Sequence, residues 1–585
     1  MLNKRILNLL LFLMIFFVTS CGLNSSTSSE ISSSSTSSSS LSSDIDSSST
    51  SSSAKISYEK DSEGFYMLED DYFKNDFVED GKKMSKIRFA KELEKDYTYK
   101  QMRLFVGDKQ IPLLNCKTNM SQRWNGEAPS RMNNSVAIVE LDGIATFKLQ
   151  CNFAIMDECI ISPLSANIVP EIDDNRRVIT FQIRSSGQYT IQLRSKRTLH
   201  LFVNDYKQYE EYKNQSNIIY FGPGIHTKDN SSYINSNNVV QLASNQTVFV
   251  DLGAIVHARF EANNKSNVKI VGSGIIDGSI FERSADKGTT LVPYDFQFSK
   301  NITIEGITTT DPAGWCYNIY FCDGVKMDNI KIISSRSNGD GISVQSCQNV
   351  EVTNSFIRGW DDNLVVKNYP KWSNRNEQGF TKNIYFGNCI LWTDLAQSME
   401  VGFETVGEVM ENITFENITV INNFHKAIIS VHNGNNANIK NVIFRNITVE
   451  NADVGNGDGN KYLIEISVEY SATWSDKQGH TSLGSLDGLE ISNVVVLNGI
   501  DDLAVSIRGS VDSRNEFKGS EHYISNVTVS DVYIYNKLLD SSYKHLSVYM
   551  TKNIKFEKKF DTPTGAIINF DDVSEYGKSF SIETV

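Results

Sequence analysis

Two short acidic motifs carry the chemistry that this sequence could perform. Asn338-Gly339-Asp340-Gly341 is followed by Asp361-Asp362, and 21 residues separate Asp340 from Asp361. A glycosidic bond is cleaved when one carboxylic acid protonates the leaving oxygen and a second carboxylate deprotonates a water molecule on the opposite face of the sugar. The three aspartates supply both kinds of group. Either motif alone favours a structural role, because Asp-Gly and Asp-Asp pairs are common in turns.

A repeat around these motifs predicts how they are positioned. An asparagine followed by apolar residues in alternation recurs at intervals of 20 to 47 residues, with Gly488 replacing it once. The asparagines are Asn267, Asn301, Asn329, Asn349, Asn383, Asn412, Asn441, Asn526 and Asn553. Short strands at a loose repeat favour a right-handed parallel β-helix over a propeller. Stacked coils would place Asp340 beside Asp361 and Asp362, and would let the asparagines form a ladder in turns.

Residues 55–205 lack this repeat and are predicted to form a separate domain. They contain the strand-like segments Met102–Val106, Ala145–Leu149, Val178–Ile183 and Tyr189–Leu193. We therefore expect an all-β protein, in which an N-terminal β-sandwich over residues 55–205 precedes a catalytic β-helix over residues 206–585.

The first 54 residues are typical of an exported lipoprotein. Lys4 and Arg5 precede an apolar stretch that is too short to span a bilayer, and residues 1–21 are predicted to be a signal peptide. Its end, Val18-Thr19-Ser20-Cys21-Gly22, resembles the bacterial lipobox, whose cysteine is lipidated; an ordinary cleaved signal is the alternative. The Ser-rich residues 22–54 predict a disordered tether. We expect a protein anchored on the extracellular face of the cell membrane, or secreted.

Composition and cysteine count exclude several classes of partner. The net charge of −14 argues against nucleic acid or an anionic membrane surface as the main partner. Seven cysteines remain after Cys21, an odd number that does not fit a disulfide scaffold. Cys322 and Cys347 occupy matching repeat positions and are predicted to stack, or less readily to form a disulfide. No Cys/His cluster has zinc spacing, and we expect neither a metal nor an organic cofactor.

From about residue 217 to 450 the chain resembles the polygalacturonases of glycoside hydrolase family 28. The resemblance rests on four segments in family order, which are Gly272–Gly278, Asp311–Trp315 with Cys322, Asn338–Gly341 in place of Asn-Thr-Asp-Gly, and Cys347–Asp362. It implies a β-helix and single-displacement, inverting hydrolysis of a polysaccharide. Asp361 would then be the general acid, and Asp340 and Asp362 would activate the water.

Later coils depart from that family. Polygalacturonases carry Gly-His-Gly where this chain has Ala396–Glu404 without histidine, and Arg-Ile-Lys where this chain has Ser430 and His432. The loss of both cations argues against a galacturonate substrate and for a neutral glycan or a pectin-related polymer. The N-terminal sandwich, the segment Phe221–His226 and the carboxylates of Ala396–Glu404 are similar to the dextranases of family 49.

Seven further residues are candidates for substrate contact: Trp315, Trp360, Lys367, Glu400, Glu404, His425 and His432. Aromatic faces can stack on sugars, and carboxylates, lysine and histidine can bind hydroxyls. Each also has an ordinary explanation, namely core burial for the tryptophans, solvation for the lysine and carboxylates, and structural hydrogen bonds for the histidines.

Two other functions remain open at this point. A β-helical polysaccharide lyase or epimerase would need calcium or a cation with an Arg or Lys base, and Arg358 is the one suitable arginine near the aspartates. A non-catalytic glycan-binding surface protein would use the same fold without the chemistry, since a fold does not determine a function.

Overall fold

The computed structural model describes residues 59–68, 72, 81–119, 130–156, 158–193, 197–282, 292–369, 379–475 and 481–585. The predicted signal peptide, Cys21 and the tether of residues 22–54 lie outside these ranges. Within them the helices are three 3₁₀ turns at Lys95–Tyr97, Leu164–Ala166 and Glu210–Asn214. No described helix is long and apolar enough to cross a membrane.

A parallel β-helix forms the larger part of the described chain and confirms the predicted fold class. Its 20-stranded sheet, which is parallel except for a terminal hairpin, contains Ile218–Phe221, Gly224–His226, Thr247–Val250, Ala254–Val256, Ser266–Val271, Ile275–Asp277, Lys300–Glu305, Thr308–Thr310, Asp323–Asp328, Lys331–Ile333, Gln348–Thr353, Phe356–Gly359, Gly379–Gly387, Ile390–Thr393, Gly407–Asn423, Asn438–Val449, Ser485–Val496, Ile524–Ile534, Lys537–Leu538 and Thr551–Glu557. Its 11-stranded sheet contains Val239–Gln241, Arg259–Asn263, Tyr294–Gln297, Tyr317–Tyr320, Ile342–Gln345, Leu364–Asn368, Met399–Thr405, Ile429–Asn433, Tyr462–Val468, Ala504–Arg508 and Leu546–Tyr549. A short hairpin pairs Ser510–Val511 with Glu521–His522. Apolar side chains from both large sheets fill one continuous core.

The repeated asparagines occupy turns in the left-handed backbone region, where asparagine is tolerated better than most residues. All nine have φ between 52° and 58°. Their amides form the expected ladder, in which Asn301 donates to Asn267 over 3.1 Å and Asn412 donates to Asn383 over 3.1 Å. Asn329 lies outside this ladder. Gly324, at φ 73°, takes its place in that coil.

The N-terminal domain is built from two sheets that share one apolar core. The first contains Lys83–Phe89, Leu114–Asn119, Arg131–Asp142, Cys159–Ser162, Gly187–Leu193, Thr198–Asp205 and Tyr576–Thr584. The second contains Met102–Val106, Lys109–Ile111, Ala145–Cys151, Glu171–Ile172 and Val178–Ile183. Apolar and polar residues alternate along these strands, so that one face of each sheet is buried against the other.

The sandwich packs directly on the β-helix. Leu114, Cys116 and Phe202 of the first sheet are buried in one cluster with Phe356 and Trp392 of the 20-stranded sheet. The outer face of that sheet is therefore partly apolar where the sandwich covers it, and the two parts pack together next to the turns that carry the aspartates.

The final strand does not continue the β-helix, although the sequence placed residues 206–585 in it. Tyr576–Thr584 returns to the sandwich and pairs in parallel with Lys83–Phe89, so that Ile582 lies opposite Ile87. Ile582 packs against the sandwich core. Burial of its side chain there favours pairing of this strand with the sandwich over pairing with the β-helix.

All seven described cysteines are buried and unpaired, which fits the predicted stack better than the disulfide. The Cys322 amide donates to Cys347 Sγ over 3.3 Å.

Candidate active site

Six consecutive strands of the 11-stranded sheet carry the candidate residues. We number them β1 (Tyr317–Tyr320), β2 (Ile342–Gln345), β3 (Leu364–Asn368), β4 (Met399–Thr405), β5 (Ile429–Asn433) and β6 (Tyr462–Val468), and call them the catalytic sheet. Val344, Val366 and Val401 point into the core. Because side chains alternate along a strand, Lys367 of β3 and Glu400 of β4 lie on the opposite, outer face.

The turns before β2 and β3 bring the two acidic motifs together. The Gly341 amide donates to the carbonyl of Asp362 over 2.8 Å, and the Asp361 amide lies 3.4 Å from the carbonyl of Gly339. The two turns are therefore adjacent coils in register. The sequence had predicted this neighbourhood from the 21-residue interval between the motifs.

Asn363 anchors the turn that carries Asp361 and Asp362. Its buried side-chain amide donates to the carbonyl of Trp392 over 3.0 Å and to Thr393 Oγ1 over 2.9 Å. The backbone amide of Gln397, in the next coil, lies 3.3 Å from Asp362 Oδ1. These hydrogen bonds hold the turn on the next coil. They also give one carboxylate oxygen of Asp362 a fixed hydrogen-bond donor. Sequence reasoning missed Asn363.

The three aspartates share an environment that disfavours full ionisation. Burial, followed by the charge of Asp361, raises the pKa of Asp340 well above its ordinary value. Burial also raises the pKa of Asp362, to about 7, although the charge of Lys367 opposes that shift. Asp340 Oδ1 is buried without a hydrogen-bond partner among the described residues. Because the carboxyl groups titrate together, the cluster retains a proton near neutral pH.

Lys367 supplies the positive charge beside the aspartates. Its Nζ lies 3.5 Å from Asp362 Oδ2, 3.4 Å from Glu404 Oε2 and 5.3 Å from the ring centre of Trp315. Burial opposes the charged ammonium, but Glu404, Asp362 and Asp340 outweigh it and raise the pKa of Lys367 well above the usual value. The lysine is therefore charged and committed to the protein's own carboxylates.

A second buried ion cluster lies on β4, β5 and β6. His432 Nδ1 lies 2.9 Å from Glu400 Oε1, and His432 Nε2 lies 3.5 Å from Glu465 Oε2. Burial opposes protonation of His432, but the two glutamates outweigh it and raise its pKa to about 10. Ser430 donates its hydroxyl to Glu400.

Sequence reasoning missed Glu465 in this cluster. The signal was present, since Ile464-Glu465-Ile466 repeats the pattern of Met399-Glu400-Val401, and the two glutamates lie in the same row of the sheet.

The aromatic candidates differ in accessibility. Trp315 is half-buried and packs edge to face with Tyr369, with ring centres 6.0 Å apart, so part of its surface is exposed to solvent. Trp360 is 4% exposed, which favours the alternative of core packing. Its contact with a sugar stays a prediction.

Both ring nitrogens of His425 also contact other groups of the protein. Nδ1 donates to the carbonyl of Leu395 over 2.5 Å, and Nε2 lies 2.6 Å from Asp458 Oδ1. Within the described residues, no group of three or more His, Cys, Asp or Glu side chains has an arrangement that could hold a metal ion.

The sequence of residues 224–544, more than half of the chain, matches the family model of Glycosyl hydrolases family 28. The chain belongs to this family. The resemblance inferred from the four segments is thereby confirmed, and the protein is a glycoside hydrolase that acts on polysaccharide O-glycosidic bonds. No curated protein sequence matches it.

Two solved structures are similar to this chain, and the first of them shares its fold. Dex49A from Penicillium minioluteum aligns with 78% of this chain and 93% of its own at 11% identity, with a TM-score of 0.55. A hyperthermoactive exopolygalacturonase from Thermotoga maritima aligns with 59% of this chain and 86% of its own at 16% identity, with a TM-score of 0.35. This chain therefore belongs to family 28 and has a fold similar to that of Dex49A, as the sequence had indicated.

Proposed function

We propose that this family 28 enzyme cleaves a neutral glycan, or a neutral stretch of a pectin-related polymer, by inversion, and that it does so while lipid-anchored outside the cell. The observation that supports a neutral substrate is that both cations of the catalytic sheet, Lys367 and His432, form ion pairs with the protein's own carboxylates. Lys367 contacts Asp362 and Glu404, and His432 contacts Glu400 and Glu465. Neither cation is free to bind a substrate carboxylate.

A substrate carboxylate would have to compete with the protein's own carboxylates for these two cations. A galacturonate carboxylate would enter a buried site that already contains more carboxylates than cations, and its desolvation would have no compensating ion pair. Sugar hydroxyls carry no such cost, because they can donate to Glu400 or Glu404 and accept from Lys367 or His432. The half-buried ring of Trp315 offers an apolar face for the sugar ring.

The reaction divides among the three aspartates. Asp361, which stands at the position of the acid in the family motif, receives the proton that the cluster retains near neutral pH and donates it to the leaving glycosidic oxygen. Asp340 and Asp362 orient a water molecule and accept its proton as it attacks the anomeric carbon from the opposite face, which inverts the configuration. Lys367 keeps part of the cluster ionised, so that acid and base are present together.

The location of the enzyme is part of the proposal. Cys21 in its lipobox-like context would carry the lipid, and residues 22–54 would give the catalytic part reach from the membrane. Cys21→Ala should move the protein from the membrane fraction to the medium and abolish metabolic labelling with palmitate. Retention of label by that variant would contradict the anchor.

The catalytic proposal is tested by measuring reducing ends released by purified residues 55–585. The glycans are dextran, other neutral glucans, galactan, rhamnogalacturonan and polygalacturonate. We expect release from a neutral glycan or from the neutral stretches of a pectin, with none from polygalacturonate. Preferential cleavage of polygalacturonate would contradict the substrate assignment.

A further inference from the structure

A large open groove separates the N-terminal sandwich from the β-helix, on the side of the catalytic turns. Its volume is about 840 Å³, within the range of small-ligand sites. Residues of the sandwich line one wall, among them Met156 and Ile160, and Phe424 and Asn456 of the β-helix line the other.

The floor of the groove is next to the turn that carries Asp361. Arg358 lies at the floor and precedes Asp361 by three residues. Trp392, also in the lining, donates its indole N–H to Asp394, whose backbone amide bonds to the carbonyl of Gly359 over 3.0 Å. A polymer bound at the aspartates would need to extend past this turn to reach the groove.

Arg358 is the feature that points to a ligand. It is 2% exposed, and its Nη1 lies 3.3 Å from Thr198 Oγ1 and 3.1 Å from His200 Nε2. Its Nε lies 3.8 Å from Asp394 Oδ2 and makes no hydrogen bond within the described residues. Arg358, which lines the groove, is therefore incompletely satisfied by the protein's own acceptors.

The rest of the lining fits a neutral sugar chain. Two arginines, Arg176 and Arg358, are balanced by Glu158 and Asp453, so that the lining carries no net charge. Met156 is 77% exposed at the rim, which is unusual for a large apolar side chain in water. Apolar surface beside amide and guanidinium donors suits the two kinds of surface that a sugar ring presents.

We propose that this groove is a second glycan-binding site, which holds sugar units of the same neutral polymer beyond those cleaved at the aspartates. The inference deepens the proposed function and rests on it. The sandwich is then part of the substrate site, and polymers are bound more tightly than short oligosaccharides.

Native affinity electrophoresis tests the groove without requiring cleavage. The protein is residues 55–585 with Asp361→Asn, run through gels that contain dextran, galactan, rhamnogalacturonan or polygalacturonate. Met156→Ser with Asn456→Ala alters both walls of the groove. Val169→Ser is the matched control, since Val169 is an equally exposed apolar residue of the sandwich, 80% exposed, and does not line the groove.

We expect a neutral glycan to retard the protein, and the double variant to weaken its affinity by about fivefold or more while the control leaves it unchanged. In the active enzyme, the double variant should lower kcat/KM for the polymer but not for a disaccharide-sized substrate. Equal retardation of the double variant and the control would overturn the proposal. Retardation by polygalacturonate alone, or by no glycan, would also overturn it. Retardation of the Asp361→Asn protein by a glycan that the active enzyme does not cleave would support the groove and contradict the hydrolytic assignment.

Discussion

Lys367 Nζ lies 3.5 Å from Asp362 Oδ2, and this contact connects the substrate preference of the enzyme to its acid–base chemistry. The same ammonium that is unavailable to a galacturonate carboxylate lowers the pKa of Asp362, whereas burial raises it. Under the proposed function, this one ion pair therefore occupies the cation that an acidic ligand would need and also maintains the base.

Lys367→Met should move the acid limb of the pH profile of kcat/KM upward. The pKa of Asp362 is about 7 with the lysine present. Without the positive charge, the cluster holds its protons to higher pH, so that less of the base is ionised at pH 6. We expect a shift of about one unit and a loss of about tenfold in kcat/KM at pH 6. Lys326→Met, at a half-exposed lysine outside the catalytic sheet, is the control. An acid limb that stays in place would contradict this role of Lys367.

His432→Gln should change how stability depends on pH. The folded-state pKa of His432 is about 10, above its ordinary value of 6.5, because Glu400 and Glu465 hold the imidazolium. Its contribution to stability is therefore complete below pH 6.5 and is lost as the pH rises toward 10. We expect the free energy of unfolding of the wild type to exceed that of the variant by about 3 kcal/mol near pH 6.5.

That difference should shrink steadily between pH 6.5 and 10, as measured by urea unfolding of both proteins. A constant difference over this window would show that His432 is not charged in the folded state.

Asp361→Asn should remove the acid while leaving the fold intact. Loss of a general acid typically costs 10²- to 10⁴-fold, and we expect kcat to fall by about that factor with little change in KM. Circular dichroism and thermal unfolding verify the fold, and Asp229→Asn, at an exposed surface acid, is the control. Activity that survives in Asp361→Asn but disappears in Asp340→Asn would reverse the assignment of the acid.

Substitutions at Asn412 should separate backbone conformation from hydrogen bonding in the ladder. Asn412 has φ 57°, donates to Asn383 over 3.1 Å and accepts from Asn441 over 3.2 Å. Asn412→Gly removes the two hydrogen bonds but keeps the backbone conformation. Asn412→Ala also removes them, and in addition it destabilises the left-handed backbone by about 1 kcal/mol. We expect the urea midpoint to fall in the order wild type, Gly, Ala. Equal midpoints for Gly and Ala would contradict the backbone argument.

The repeat made the fold predictable, because alternating apolar residues and recurring asparagines are local signals of strands and turns. The same repeat predicted that Asp340 and Asp362 meet, since both precede strands of neighbouring coils. The return of Tyr576–Thr584 to the sandwich was not predictable, because nothing local distinguishes a strand that pairs with the next coil from one that pairs with Lys83–Phe89.

Contacts between residues that are far apart in the sequence were not predictable either. The occupation of His432 by Glu400 and Glu465 depends on the register of three strands, and the placement of Arg358 in a groove depends on the docking of the sandwich. Residue type and position made Lys367 and His432 candidates for substrate contact, with solvation and structural hydrogen bonds as the alternatives. Their ion pairs appear only when side chains from several coils are placed on one face.

The central claim is that Asp340, Asp361 and Asp362 hydrolyse a glycan in a single displacement. It is tested most directly by proton NMR of the first product released from the glycan that the panel identifies. We expect the new reducing end to appear first as the anomer opposite to that of the cleaved linkage, and to equilibrate only afterwards. Initial release of the same anomer would indicate a covalent intermediate, and an unsaturated sugar product would indicate a lyase. Either result would contradict the account.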